Sequence, residues 1–244
     1  MYLILLRHGE SQWNLENKFT GWTDVSLTSK GKEEAKFAAN QIKDLNIHID
    51  SFYTSILCRA TKTSSIVSKI IEFPPEKIIF DWRLNERHYG ELQGLNKSET
   101  AKKYGEEQVR VWRRSYDISP PLLSIDDERH PKNFEQFKCI KSELPSGESL
   151  KNVVERINPF WKNFIKKETS KNSIFVAHSN SLRAIIKILE NKTSKQIMEV
   201  EIPTGIPLVY KLDEKLNILN KRFLIDDDSL VKRQQNIINQ GRVK

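Results

Sequence analysis

Two histidines stand where an apolar run gives way to small polar residues. His8 follows Tyr2–Leu6 and Arg7 in YLILLRHGESQWN, and His178 follows Ile174–Ala177 in SIFVAHSNSLRAII. A neutral imidazole is a good nucleophile near pH 7 and can carry a phosphoryl group on nitrogen. Transfer of that group asks mainly for positioning and for positive charge around its oxygens. Arg7 adjoins His8, and Arg59 opens a helical pattern just past a second apolar run. Guanidinium forks match phosphate oxygens two at a time. One strand-end histidine is most often structural. Two of them, each in a turn of small residues and one beside an arginine, point to a phosphotransfer site.

A proton must also move when a hydroxyl attacks or leaves. The stretch RLNERHYGELQGLNKSE, residues 83–99, places Glu86 between Arg83 and Arg87, with His88 and Tyr89 adjacent. A partly desolvated carboxyl there could serve as general acid and base. WRRSY, residues 112–116, adds Arg113 and Arg114, which taken alone read as a solvated helix face.

These residues need a frame. The unbroken apolar run Leu3–Leu6 marks a strand buried on both faces. Residues 28–45 carry apolar side chains at three- and four-residue spacings and predict a helix; 49–55 reads as a strand, 59–72 as a second helix ended by FPP, and 77–80 as a third strand. Residues 97–115 look helical, 149–167 predicts a helix bent at Pro159, and 174–177 a strand followed by a helix over 181–190. PLVYKLD and NKRFLI suggest a closing hairpin. The β-α-β-α-β order implies parallel strands and an α/β architecture. In such sheets ligands bind beyond the carboxyl ends of the strands, where both histidines lie. Gly9 allows the chain to turn tightly after His8, and Ser179 and Ser181 can start the following helix.

Composition narrows the class. The chain has 244 residues and a formal charge of +8 from 40 basic and 32 acidic side chains. That balance suits anionic partners. The basic residues are scattered rather than gathered in a stripe with aromatics, so small phosphorylated anions are expected and nucleic acid is not. No apolar run approaches the roughly 20 residues that cross a bilayer, so no membrane is expected either. A strand begins almost at Met1, and a signal peptide is not expected. Cys58 and Cys139 show neither CxxC nor metal-ligand spacing, which fits a reducing, cytoplasmic setting. No metal constellation is visible.

RHGESQWN, FTGW, CRATKT, RLNERHYGELQGLNK, VWRRSYD, AHSNSLRAI and IPTGIPLVY, in this order from residue 1 to about 225, resemble the cofactor-dependent phosphoglycerate mutases of the histidine phosphatase superfamily. RHG alone points only to the superfamily; the later motifs are specific to the mutases. The resemblance implies an α/β three-layer sandwich with a mostly parallel central sheet flanked by helices. It implies a single catalytic domain over 1–244, with a surface insertion at about 121–147 and a C-terminal lid or tail at about 226–244. It also implies interconversion of 3-phosphoglycerate and 2-phosphoglycerate, primed by 2,3-bisphosphoglycerate and without a metal. His8 would carry the phosphoryl group, Glu86 would be the acid and base, and His178 the second histidine. Arg7, Ser11, Asn14 and Arg59 would join the phosphate pocket. Thr20, Gly21, Tyr89, Lys97, Arg113, Arg114 and Asn180 would hold the carboxylate and second phosphate. Family members form homodimers and homotetramers, and the second strand region could supply such a contact.

Two departures stand out. The family has His-Gly-Asn where this chain has His178-Ser179-Asn180, and the backbone N–H of that glycine approaches the ligand. If the position needed positive φ, Ser179 would be strained by about 1 kcal/mol or more. LPSGESL replaces a Thr-Glu-Ser-Leu pattern but keeps Glu148 and Ser149. The alternatives are a phosphatase of the same superfamily, a bisphosphoglycerate mutase, and a silent binding protein on the same fold. Arg113 and Arg114 speak against the first, Ser11 against the second, and the retained His8, Glu86 and His178 against the third.

Overall fold

Leu3–Leu6 is uninterrupted because helices cover both faces of its strand. In the computed structural model, which describes residues 1–168, 170–240 and 242, the strands are β1 (Tyr2–Arg7), β2 (Ser51–Thr54), β3 (Ile78–Phe80), β4 (Ser173–Ala177), β5 (Pro207–Leu212) and β6 (Ile218–Phe223). They form one sheet in the order β3-β2-β4-β1-β5-β6. The first four strands in that order are parallel, and β5 and β6 close the sheet as an antiparallel hairpin. The expected architecture, a mostly parallel sheet between helical layers, is the one observed. The helices are α1 (Gln12–Leu15), α2 (Ser29–Lys43), α3 (Cys58–Ile70), α4 (Lys97–Tyr104), α5 (Glu106–Arg114), α6 (Leu150–Glu168), α7 (Ser179–Leu189), α8 (Ser194–Met198) and α9 (Asp227–Asn239).

Alternation along the strands splits the core in two. Leu3, Leu5, Tyr53, Phe175 and Ala177 face α6 and α7, packing with Val153, Ile157, Trp161, Leu182 and Ile185. Ile4, Leu6, Phe52, Ile174 and Val176 face the other way, onto Ala38, Ala39 and Ile42 of α2 and Val67 of α3.

Three expectations change. The helix over 97–115 is two helices, because Gly105 takes φ +88° and carries the chain from α4 into α5. Helix α6, expected over 149–167, spans Leu150–Glu168 with Pro159 inside it, so its ends move by one residue each. Gly9 does not serve a positive-φ turn; a Cβ there would stand 2.0 Å from the Gly31 carbonyl oxygen, so its role is to let the His8 loop touch α2. The segment at 121–147 lies without strand or α-helix, as its sequence suggested, yet it is anchored. Phe137 and Ile140 are buried against Trp22 and Leu57, with the Phe137 ring 5.0 Å from that of Trp22. Irregularly spaced apolar residues have no period to betray them.

The C-terminal segment forms α9, capped by Asp226, whose side chain accepts from the Ser229 N–H. Gly241, Val243 and Lys244 of the expected tail lie outside the described residues. Among the described residues no helix is long and apolar enough to cross a membrane, and both cysteines are free thiols.

Candidate active site

Sheet register brings the two histidines together. Arg7 pairs with Ala177 across parallel β1 and β4, so the next residue on each strand, His8 and His178, sits level with the other. The His8 N–H donates to Ala177 O at 3.0 Å, and the ring centroids are 4.9 Å apart. Strand β2, paired to the other side of β4, ends level with them and delivers Ser55.

The chemistry of His8 follows from its contacts. Its Nδ1 lies 2.7 Å from the Gly9 carbonyl oxygen, which can only accept, so Nδ1 carries the proton. Burial, then Arg59 and Arg7, hold the ring well below the usual imidazole value. A neutral ring with Nδ1–H leaves a lone pair on Nε2. His178 is fully buried and likewise held well below its usual value, first by burial and then by Arg59 and His8. Its Nε2 lies 2.7 Å from Ser55 Oγ, which also accepts from the Leu57 N–H, while its Nδ1 has no protein partner.

Glu86 comes from the loop after β3. Its Oε1 accepts from the backbone N–H groups of Arg87 (2.7 Å) and Asn180 (3.1 Å). One oxygen is thus fixed by two donors, and the carboxylate lines the same cleft as His8.

The walls of that cleft are cationic. Arg7, His8, Asn14, Thr20, Gly21, Arg59, Glu86, Tyr89, Lys97, Arg113, Arg114, Ser179 and Asn180 all line it. Burial, aided by Arg113, Arg7 and Arg114, pushes the Lys97 ammonium well below its usual value. Burial likewise pushes the Arg59 and Arg113 guanidinium groups down to about 10, so both stay charged at neutral pH. Cations held this close in a desolvated site favour a multiply charged anion. Arg7 Nε, buried and without a protein partner, is a polar atom of this cleft that such an anion could satisfy.

Arg113 and Arg114 are not the solvated face that their sequence suggested. Arg113 Nη2 donates to Ile237 O at 3.3 Å, and Arg114 pairs with the buried Glu201 at 2.6 Å. Among the expected site residues, Ser11 and His178 do not line the cleft. Ser11 is buried as the cap of α1, bonded to Asn14, and the buried His178 ring packs edge-on against that of His8. Ser179 is the first residue of α7 and not among the positive-φ residues, so the feared strain is absent. We therefore expect Ser179→Gly to turn over within about twofold of the unsubstituted protein; a steady-state assay checks this, and a gain of tenfold would restore the strain.

Sequence reasoning missed Lys18, Phe19, Arg183, Ile237 and Gln240 in the lining. Arg183 was legible: it stands one helical turn after Asn180 and donates to its Oδ1 at 3.0 Å. Ser55 was legible as a third strand-end residue. Ile237 arrives from α9 and Gln240 from the residue just beyond it, a segment that no local pattern ties to the cleft. Among the described residues there is no group of three or more His, Cys, Asp or Glu side chains able to hold a metal ion.

Known proteins are similar to this chain in sequence and fold. The pattern of the histidine phosphatase superfamily (branch 1) matches residues 3–128 and 123–219. A 2,3-bisphosphoglycerate-dependent phosphoglycerate mutase of Lachnoclostridium phytofermentans is 48% identical over 246 residues, covering 100% of this chain and 99% of its own. The protein of the same name from Treponema denticola is 48% identical over 247 residues, covering 100% of each. Among solved structures, mycobacterial glucosyl-3-phosphoglycerate phosphatase superimposes with a TM-score of 0.70 at 18% identity, over 92% of this chain and 98% of its own. The alpha-ribazole phosphatase of Shigella flexneri gives 0.65 at 20% identity, over 90% and 96%. At such identities the structural likenesses concern the fold.

Proposed function

This chain belongs to the histidine phosphatase superfamily (branch 1) and, within it, to the 2,3-bisphosphoglycerate-dependent phosphoglycerate mutases, and from that premise we propose how its residues interconvert 3-phosphoglycerate and 2-phosphoglycerate. The observation that carries the reading is a neutral His8 with a free Nε2 lone pair in a cleft walled by buried cations.

The buried cations and the unpartnered Arg7 Nε suit 2,3-bisphosphoglycerate, which when bound supplies the phosphoryl group that primes the enzyme. Nε2 of His8 takes that group, and Arg7 and Arg59 balance the charge on its oxygens. His178, its Nε2 held 2.7 Å from Ser55 Oγ and its ring packed edge-on to His8, steadies the group in transit. The phosphoryl group then passes from His8 to the free hydroxyl of the monophosphate, and Glu86 accepts that hydroxyl's proton. After the bisphosphate turns over in the cleft, its other phosphoryl group returns to Nε2 and Glu86 gives the proton back to the departing oxygen. Asn14 joins Arg7 and Arg59 around the transferring phosphoryl group, in the turn that Ser11 sets, and Thr20, Gly21, Tyr89, Lys97, Arg113, Arg114, Ser179 and Asn180 bind the carboxylate and the far phosphate.

Incubation with 3-phosphoglycerate, with and without trace bisphosphate, tests the reading. We expect 2-phosphoglycerate only in the primed sample; equal formation without primer contradicts it.

Helix α9 is proposed to be a lid over a single catalytic domain. Gln240 accepts from Lys97 Nζ at 3.1 Å, and Ile237 O accepts from Arg113. None of its residues is buried, and its further polar contacts, Arg233 Nη1 to Glu34 at 3.5 Å and Gln234 Nε2 to Glu201 O at 3.3 Å, are long, so it can release. Excluding water favours transfer over hydrolysis. Deleting the residues beyond Ser229 is expected to raise the ratio of phosphatase to mutase activity about tenfold, read by phosphate release against 2-phosphoglycerate formation. An unchanged ratio removes the lid.

The proposal extends to a cytoplasmic enzyme acting as a homodimer or homotetramer, without nucleic acid or membrane. Exposed Ile79 and Phe80 on edge strand β3, hydrogen-bonded to β2, support a subunit contact there.

A further inference from the structure

One buried ion pair outside the cleft grips the backbone that carries Glu86. Arg156, on α6, donates from Nε to Glu148 Oε1 at 2.7 Å; the two side chains are only 9% and 5% exposed. The remaining guanidinium nitrogens go to main-chain carbonyls, with Nη2 also reaching Glu148 Oε2 at 3.2 Å. Nη1 donates to Arg83 O, and Nη2 to Asn85 O (2.9 Å) and Glu86 O (3.0 Å). Glu148 takes hold from the other end: its Oε2 accepts from the His88 N–H at 2.8 Å, and its own N–H donates to His88 O at 2.9 Å. The segment from Arg83 to His88 has no strand partner and only a short 3-10 turn over Trp82–Leu84, so these bonds replace a ladder.

The pair is a poor device for stability alone. Two buried charges cost desolvation that their attraction barely offsets, and a packed apolar pair often does as well. What an apolar pair cannot do is hold successive carbonyls in a fixed row. With its carbonyl held by Arg156 and by Trp22 Nε1 (2.6 Å), Glu86 has its carboxylate on the Arg87 and Asn180 N–H groups, in the cleft that His8 also lines.

We propose that Arg156, clasped to Glu148, is a positioning residue for the reaction: it fixes the backbone of residues 83–88 so that the Glu86 carboxylate meets the hydroxyl proton. The inference rests on the reading of Glu86 as the acid and base of this site. A shift of about 1 Å in a reacting group can lower a rate by about a hundredfold.

The test is a double-mutant cycle on the full chain, with kcat and KM measured at saturating bisphosphate. Arg156→Lys keeps the charge beside Glu148 but cannot reach three carbonyls at once. It is expected to lower kcat about tenfold while KM for 3-phosphoglycerate stays within about threefold. In a Glu86→Gln background the same replacement is expected to lower the residual rate by less than about twofold, because the group it positions no longer moves a proton. Glu148→Gln, which leaves Arg156 its carbonyls, serves as the second variant and is expected to show the same dependence on Glu86. An equal tenfold loss in both backgrounds, or an unchanged kcat in Arg156→Lys, overturns the proposal. Full activity in Glu86→Gln alone instead overturns the functional reading beneath it.

Discussion

His8→Ala is expected to lower mutase turnover by at least about 10⁴-fold, with substrate binding little changed. The size follows from the absence of a substitute. His178 lies 4.9 Å away, ring to ring, but its Nε2 is engaged by Ser55 and it does not line the cleft, so it cannot take over as nucleophile. The arginines and Lys97 remain, so the substrate still finds its charge partners. The same geometry fixes the pH dependence. Burial, Arg59 and Arg7 lower the His8 value, so protonation, which removes the Nε2 lone pair, occurs only well below pH 6.5. Activity carried by His8 is therefore expected to persist as pH falls through 6.5 and to fail only as the lowered value is approached. A plot of kcat/KM against pH, taken with stability controls, checks this; a half-loss centred at 6.5 would mean that the ring is solvated.

Glu86→Gln is expected to cost about 10²–10⁴-fold in kcat. Glutamine keeps the length and can keep an acceptor against the N–H groups of Arg87 and Asn180, so the loop stays in place. What it loses is the ability to take and return a proton. The loss is thus expected in kcat rather than KM, and labelling of His8 by the bisphosphate is expected to slow rather than vanish. A Glu86→Gln protein with unchanged kcat would assign the proton to another group.

The outline of the sheet was legible because it is written in local patterns. Leu3–Leu6 and Ile174–Val176 are apolar throughout, as strands covered on both faces must be, and the strand-end rule placed His8 and His178 before their register was known. The cationic wall was legible only as separate fragments. Nothing local distinguishes Arg113 and Arg114 from a solvated face; their burial is made by α9 and Glu201, far along the chain. The resemblance supplied Ser11 to the pocket, whereas its contacts make it a cap that orients Asn14. The break at Gly105 was misread because helical periodicity continues on both sides of it. The clasp of Arg156 on residues 83–88 was invisible, since a guanidinium that satisfies carbonyls about 70 positions away leaves no mark in spacing.

The central claim is that His8 becomes covalently phosphorylated. Brief mixing with 2,3-bisphosphoglycerate labelled at phosphorus, a quench in base and peptide mapping reads it directly. The account predicts one acid-labile label per chain, on His8, discharged when 3-phosphoglycerate is added. Label on another residue, or 2-phosphoglycerate formed while His8 stays unlabelled, contradicts it.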